Sequence, residues 1–236
     1  MNIIVTGAGG RMGKKVCALD GVNVVCAVDP NLDIKSISEC SAPADGIIDF
    51  SYHGAAPEIC DYAVSHGLPV VFATTGHTPD ELEAIKSAAR SVPVFMSANM
   101  SLGIAVLCDF AKKAAAVFPD ADIEIVETHH NRKLDAPSGT ALMLAEAVSD
   151  VREDAELVYG RVGQSPRKKG EIGIHALRMG NIVGEHAVMI CTDTQRLTLK
   201  HEAMDRALFA EGALRALEYI SGKESGMYTM KDMVGA

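Results

Sequence analysis

The sequence predicts an α/β protein: a doubly wound parallel sheet followed by a smaller α+β unit. Three observations carry that prediction. Short apolar runs alternate with helical patterns through the first half, and a glycine cluster separates the first run from the first helix. The second half then changes to longer, consecutive strand candidates. A chain of 236 residues is long enough for two domains and can bury a sizeable core in each. Hydrophobic residues make up 48% and charged residues 22%, which excludes disordered, collagen-like and disulfide-scaffold architectures.

Asn2–Thr6 opens the first half as a β-rich run, and Arg11–Leu19 follows with helical spacing, Met12, Val16 and Leu19 on one side. Val22–Val28 and Gly46–Phe50 are apolar without alternation, as strands buried on both faces are. Gly54–His66 reads as a helix with Pro57 in its first turn and Gly67 as its left-handed stop. Leu68–Ala73 is the next strand. Pro79–Arg90 is a helix capped by Thr78, and Val92–Met96 is one more strand. Strands alternating with helices through short loops wind into a parallel sheet.

The second style begins near Asn99–Ser101. Leu102–Phe118 is a long helical pattern, Asp122–Glu127 a strand with one solvated face, and Thr140–Val148 a helix. Residues 150–170 are polar and read as a loop. Ile172–Met179, Ile182–Thr192 and Arg196–His201 are strands, with Gly180-Asn181 as a tight turn between the first two. Ala207–Ile220 is a final helix.

Lys and Arg number 22 against 31 Asp and Glu, a net charge of −9, and tryptophan is absent. Nucleic-acid binding needs clustered positive charge or stacking aromatics, so it is excluded. No window approaches a membrane span, and the N-terminus lacks a basic leader, so a cytoplasmic protein is expected. The six cysteines show no C-x-x-C pair and several lie in apolar runs. They are expected to be small buried hydrophobes in a reducing compartment, with no metal site.

Two segments carry chemistry. Gly7-Ala8-Gly9-Gly10-Arg11-Met12-Gly13 joins a strand to a helix, which is where a Rossmann-type sheet holds a dinucleotide pyrophosphate. Asp29 closes the second strand 20 residues after Gly9, where a carboxylate hydrogen-bonds the ribose and repels a 2′-phosphate. Pro30 follows it rather than arginine. NADH is therefore expected over NADPH, although Lys35 offers a route to a phosphate. Ala73-Thr74-Thr75 and Ser97-Ala98-Asn99-Met100 follow later strands, at the edge where a cofactor would continue. The second segment runs from Glu124 to Thr140. His129, His130, Arg132 and Lys133 form a positive island in an acidic protein, suited to an anionic substrate, and a histidine can move protons near neutrality. Pro137-Ser138-Gly139-Thr140 then opens a helix whose N–H groups and hydroxyls could cradle a carboxylate.

The glycine loop together with Glu127-Thr128-His129-His130-Asn131-Arg132-Lys133-Leu134-Asp135-Ala136-Pro137-Ser138-Gly139-Thr140-Ala141 closely resembles the dihydrodipicolinate reductase family. Asp49-Phe50-Ser51, Thr74-Thr75-Gly76, Gly184-Glu185-His186 and the segment Ser221–Gly226 extend the resemblance over nearly the whole chain. It implies reduction of the cyclic dicarboxylate 4-hydroxy-tetrahydrodipicolinate by NADH or NADPH on the diaminopimelate route to lysine. His129 matches the family's general acid and Lys133 its second catalytic group. His130, Gly139 and Thr140 match contacts to the substrate carboxylate. Gly7, Ala8, Gly9, Gly10, Arg11, Met12, Asp29, Ala73, Thr74, Thr75, Ser97, Ala98, Asn99 and Met100 are the expected cofactor residues. The family fold implies a dinucleotide domain of residues 1–99 and 207–236. A substrate domain of residues 100–206, with an open mixed sheet, would build a homotetramer. Pro30 and the short stretch from Asp29 to Asp49 depart from longer members, and Arg206 is a candidate hinge residue.

Overall fold

The apolar runs of the first half become five strands in this computed structural model, which describes residues 1–235. They are β1 (Asn2–Thr6), β2 (Asn23–Val28), β3 (Gly46–Asp49), β4 (Val70–Phe72) and β5 (Pro93–Met96), paired in parallel in the order β5-β4-β3-β1-β2. Their lack of alternation has a physical cause. Ile3, Ile4, Val5, Ile47, Ile48 and Phe72 are all fully buried, because helices cover both faces of the sheet. The helices of this unit are α1 (Arg11–Cys17), α2 (Ala56–His66), α3 (Pro79–Ala88) and α6 (Ala207–Ile220). Gly67 ends α2 in the left-handed conformation, φ 64°. At the start of α3 the Glu81 N–H donates to Thr78 Oγ1 and the Thr78 N–H donates to Glu81, a reciprocal cap.

The C-terminal residues supply elements the periodicity did not reveal. β11 (Gly226–Tyr228) pairs in parallel with β5 and becomes the edge strand, and α7 (Met230–Val234) follows. Three residues are too few to show a period. The first unit thus comprises Met1–Leu102 together with the segment from Arg206 onward, and Gly103–Asp205 forms a second.

In the second unit, β6 (Asp122–His129), β7 (Glu156–Tyr159), β8 (Glu171–Arg178), β9 (Gly184–Cys191) and β10 (Arg196–Ala203) form a mixed sheet in the order β10-β9-β6-β8-β7. Helices α4 (Leu102–Val117) and α5 (Gly139–Ser149) supply Ile104, Leu107, Leu144 and Val148 to a core with Ile123, Ile125, Ile172 and Val188. The opposite face carries Glu124, His175, Met189 and Lys200 and is only partly covered.

Three expectations are corrected here. The stretch 150–170 is not all loop, since Glu156–Tyr159 adds an edge strand beside β8. The Gly180-Asn181 turn does not join a hairpin, because β6 lies between β8 and β9, parallel to one and antiparallel to the other. The cysteines are not uniformly reduced and buried. Cys26 and Cys40 form a disulfide with Cα atoms 6.0 Å apart, brought together by a short 3-10 turn at Ile37–Glu39, while Cys17 and Cys191 are exposed. Cys60 alone of the free thiols is buried, and burial pushes it up to about 12, with help from the nearby Asp61 and Asp49 charges. Among the described residues, no helix is long and apolar enough to cross a membrane.

Candidate active site

All strands of the first sheet run the same way, so their carboxyl ends share one edge. The chain leaves β1 toward β2 on one side while β3 lies on the other, the topological switch point of an open α/β sheet. The glycine loop sits there. Gly7 has φ 74° and its N–H donates to Val28 O, as does the N–H of Ala8. A Cβ on Gly13 would stand 2.1 Å from Gly7 O, so only glycine lets α1 close on the loop. Beneath it, Thr6 Oγ1 donates to Asp49 Oδ1 (2.6 Å) and ties the ends of β1 and β3 together. Asp29 is 8% exposed at the end of β2. Its carboxylate accepts from the Gly9 N–H (3.2 Å) and from the backbone and side chain of Asn31 (2.9 and 3.0 Å).

This edge fits a dinucleotide. The glycines let a diphosphate reach the backbone, the first turn of α1 leaves N–H groups without helical partners, and a carboxylate stands where a ribose would lie. Gly10 and Arg11 are exposed, and Gly9 and Met12 are half-buried. Ala73, Thr74 and Thr75 leave β4 at the same edge, with Thr75 exposed and Thr74 Oγ1 buried. Ser97, Ala98 and Asn99 leave β5 there too, in a turn in which Ser97 Oγ donates to Asn99 O (2.8 Å). Met100 is 2% exposed and offers this edge only its backbone.

The histidine segment lies at the carboxyl end of β6, the central strand of the second sheet. Period two puts Glu127 and His129 on the same face as Ile123 and Ile125, the helix-covered one. Two polar side chains therefore end a buried apolar row, and the strand runs two residues further than Glu127. Glu127 is fully buried and completely partnered. It accepts from both Arg178 Nη atoms (2.8 Å each), from the Ser138 N–H (3.0 Å) and from His129 Nδ1 (2.5 Å). Burial opposes its charge, but these donors outweigh burial and hold its carboxyl below the ordinary value. Arg178 is raised in turn by Glu127.

His186, on β9, is 4% exposed, and its ring stands edge-on to His129 with centroids 5.1 Å apart. Burial first, then the charge of His129, pushes its imidazolium down to about 4, so it is neutral near pH 7. The turn misread as a hairpin crosses the end of β6 instead. The His130 N–H donates to Ile182 O (2.8 Å) and the Met179 N–H to His129 O (2.8 Å), which fixes the backbone of both histidines.

Lys133 Nζ lies 2.9 Å from Asp135 Oδ1, whose side chain is 60% exposed. That hydrogen bond lowers the Asp135 carboxyl. The expected carboxylate cradle is narrower than the sequence suggests. Ser138 is 1% exposed, its Oγ accepting from the Ala141 N–H (3.2 Å) and pairing with His186 Nε2 (3.2 Å). Gly139 is exposed with open space beside it, and Thr140 is half-buried next to it at the start of α5. Sequence reasoning quoted Glu127 and His186 only within family-like motifs, without a role, and did not single out Arg178. The signal for Glu127 was its spacing of two from His129; Arg178 and His186 come from strands brought alongside only by the fold.

The family description "Dihydrodipicolinate reductase, N-terminus" matches residues 1–100 and "Dihydrodipicolinate reductase, C-terminus" matches residues 103–234. A 4-hydroxy-tetrahydrodipicolinate reductase of Caldanaerobacter subterraneus subsp. tengcongensis is 46% identical, over 99% of this chain and 98% of its own. One of Clostridium novyi is 42% identical, over 98% and 97%. Among solved structures, the dipicolinate-bound dihydrodipicolinate reductase from Paenisporosarcina sp. TG-14 shares the fold with a TM-score of 0.78. It is 22% identical, with 97% of each chain covered. With both halves matched, and with relatives of this identity along its full length, the chain belongs to the dihydrodipicolinate reductase family.

Proposed function

We propose that the chain reduces 4-hydroxy-tetrahydrodipicolinate to tetrahydrodipicolinate, with loss of water, on the diaminopimelate route to lysine. The observation that carries this reading is the end of β6. A histidine held by a buried carboxylate lies in the same short segment as a lysine and an open helix N-terminus. The family membership and the names of the relatives support the same reading.

A reduced nicotinamide dinucleotide bound at the first sheet's edge would supply the hydride. The glycine loop from Gly7 to Met12, with Ala73–Thr75 and Ser97–Met100, would hold it, and Asp29 would accept from its ribose. On the substrate side, His129 donates the proton that completes the reduction, from the nitrogen not bonded to Glu127. Lys133 exchanges Asp135 for a substrate carboxylate, and it can do so because an ion pair this exposed is weak. His130 and the N-terminus of α5, at Gly139 and Thr140, take the other carboxylate.

Asp29 and Pro30 favour NADH, since a carboxylate there repels a 2′-phosphate. The reading also includes a homotetramer assembled through the partly covered face of the second sheet, in the cytoplasm. Mixing the purified protein with NADH and freshly generated 4-hydroxy-tetrahydrodipicolinate tests the activity by loss of nicotinamide absorbance. No oxidation overturns it. A lower KM for NADPH than for NADH would overturn the cofactor preference alone.

A further inference from the structure

The Glu127–Arg178 pair stands beside the histidine, and its carboxylate is held from several sides. Four donors converge on Glu127, and it has no exposed surface. A carboxylate so held is ionised and immobile, and the hydrogen between it and His129 belongs on Nδ1. The other nitrogen faces differently. His129 Nε2 lies over Gly184, where a Cβ would come within 3.0 Å of it. Glycine leaves that nitrogen uncovered.

We infer that Glu127 is the positioning residue of His129, and that Arg178 sets its strength. Glu127 keeps the imidazole hydrogen on Nδ1, so that Nε2 is the nitrogen that exchanges protons. This rests on the proposed reduction, with His129 as its acid. In turnover Nε2 gives its proton to the reacting ring and keeps the lone pair. The neutral imidazole retains its hydrogen on Nδ1, and water returns a proton to Nε2. Arg178 balances the charge of Glu127, so the pair orients the ring.

Several charged and titratable groups surround His129, beginning with His130, the next residue along the chain. Glu127 lies on its own strand, Arg178 on β8, His186 on β9, and Lys133 and Asp135 in the loop that follows. His201 on β10 stands behind His186, its register partner. His186 is neutral and contributes no charge near pH 7.

Two substitutions therefore displace the pH profile in opposite directions. Glu127→Gln leaves Arg178 unbalanced beside the ring, so the imidazolium is disfavoured and the alkaline fall of kcat moves to lower pH. At pH 8 kcat drops by roughly 100-fold and recovers toward pH 6. Arg178→Gln leaves Glu127 unbalanced, and the same limb moves to higher pH. A pair serving only to hold β6 and β8 together would lower turnover at every pH without displacing the profile; that result overturns the inference. Histidine ring nitrogen shifts in the unmodified protein give a second test that needs no variant to fold. The expected result is a hydrogen on Nδ1 of His129 whenever the ring carries only one, and a hydrogen on Nε2 instead overturns the inference. If the unmodified protein oxidises no NADH, the proposed function fails, whereas the ring shifts still decide the role of Glu127.

Discussion

His186 shows how a single buried ring couples the second unit to pH. Its imidazolium is pushed down to about 4, chiefly by burial, so the unfolded chain takes up that proton first as pH falls. Stability from this group is complete above about pH 6.5 and is lost as pH drops toward 4, by roughly 3 kcal/mol in all. Denaturant midpoints measured across that range should fall with pH, and His186→Gln should flatten the fall. Below it the loss persists in both proteins, because the carboxyls of Glu127 and Asp135 are also depressed. For the reaction itself, His129→Gln should lower kcat by about 10²–10⁴-fold with little change in the KM for NADH. Lys133→Ala should damage kcat and the substrate KM together, since its charge serves ground and transition states alike. Steady-state kinetics against each substrate separate the two patterns. The legibility of these residues differed for a physical reason. His129 and Lys133 stand in one continuous segment, whereas Arg178 reaches Glu127 across 51 positions of chain and no local pattern marks it.

At the scale of elements, local chemistry was readable and pairing was not. The reciprocal cap at Thr78 and Glu81, the Gly67 stop and the strand–glycine–helix unit all follow from residues within a few positions of one another. The hairpin at Gly180-Asn181 failed because strand order in a mixed sheet depends on β6, far earlier in the sequence. The glycine loop offers a test at this level. A methyl at position 13 meets Gly7 O, which is backbone and cannot rotate away, so Gly13→Ala must shift α1 off the loop. The expected cost is about 1–3 kcal/mol, typical of overpacking. NADH affinity, followed by nicotinamide fluorescence, should fall at least tenfold while binding of a dicarboxylate to the second unit is preserved. Retention of full NADH affinity would show that the loop tolerates the displacement.

For the molecule as a whole, the first sheet is assembled from both ends of the chain. β5 is followed by the entire second unit before α6 and β11 return to it. Ala210, Ala213, Leu217 and Ile220 of α6 are fully buried, so a chain ending at Asp205 lacks one wall of the first core. Such a truncation should expose apolar surface and aggregate, whereas residues 103–205 alone should remain folded; dispersion of amide resonances checks both. The same arrangement orders events during synthesis. The inserted unit is contiguous and complete once Asp205 has emerged, but the strands before it must wait for α6 and β11 before their core can close. The strands made before the inserted unit therefore mature after it, and the dinucleotide edge closes only when α6 and β11 have emerged.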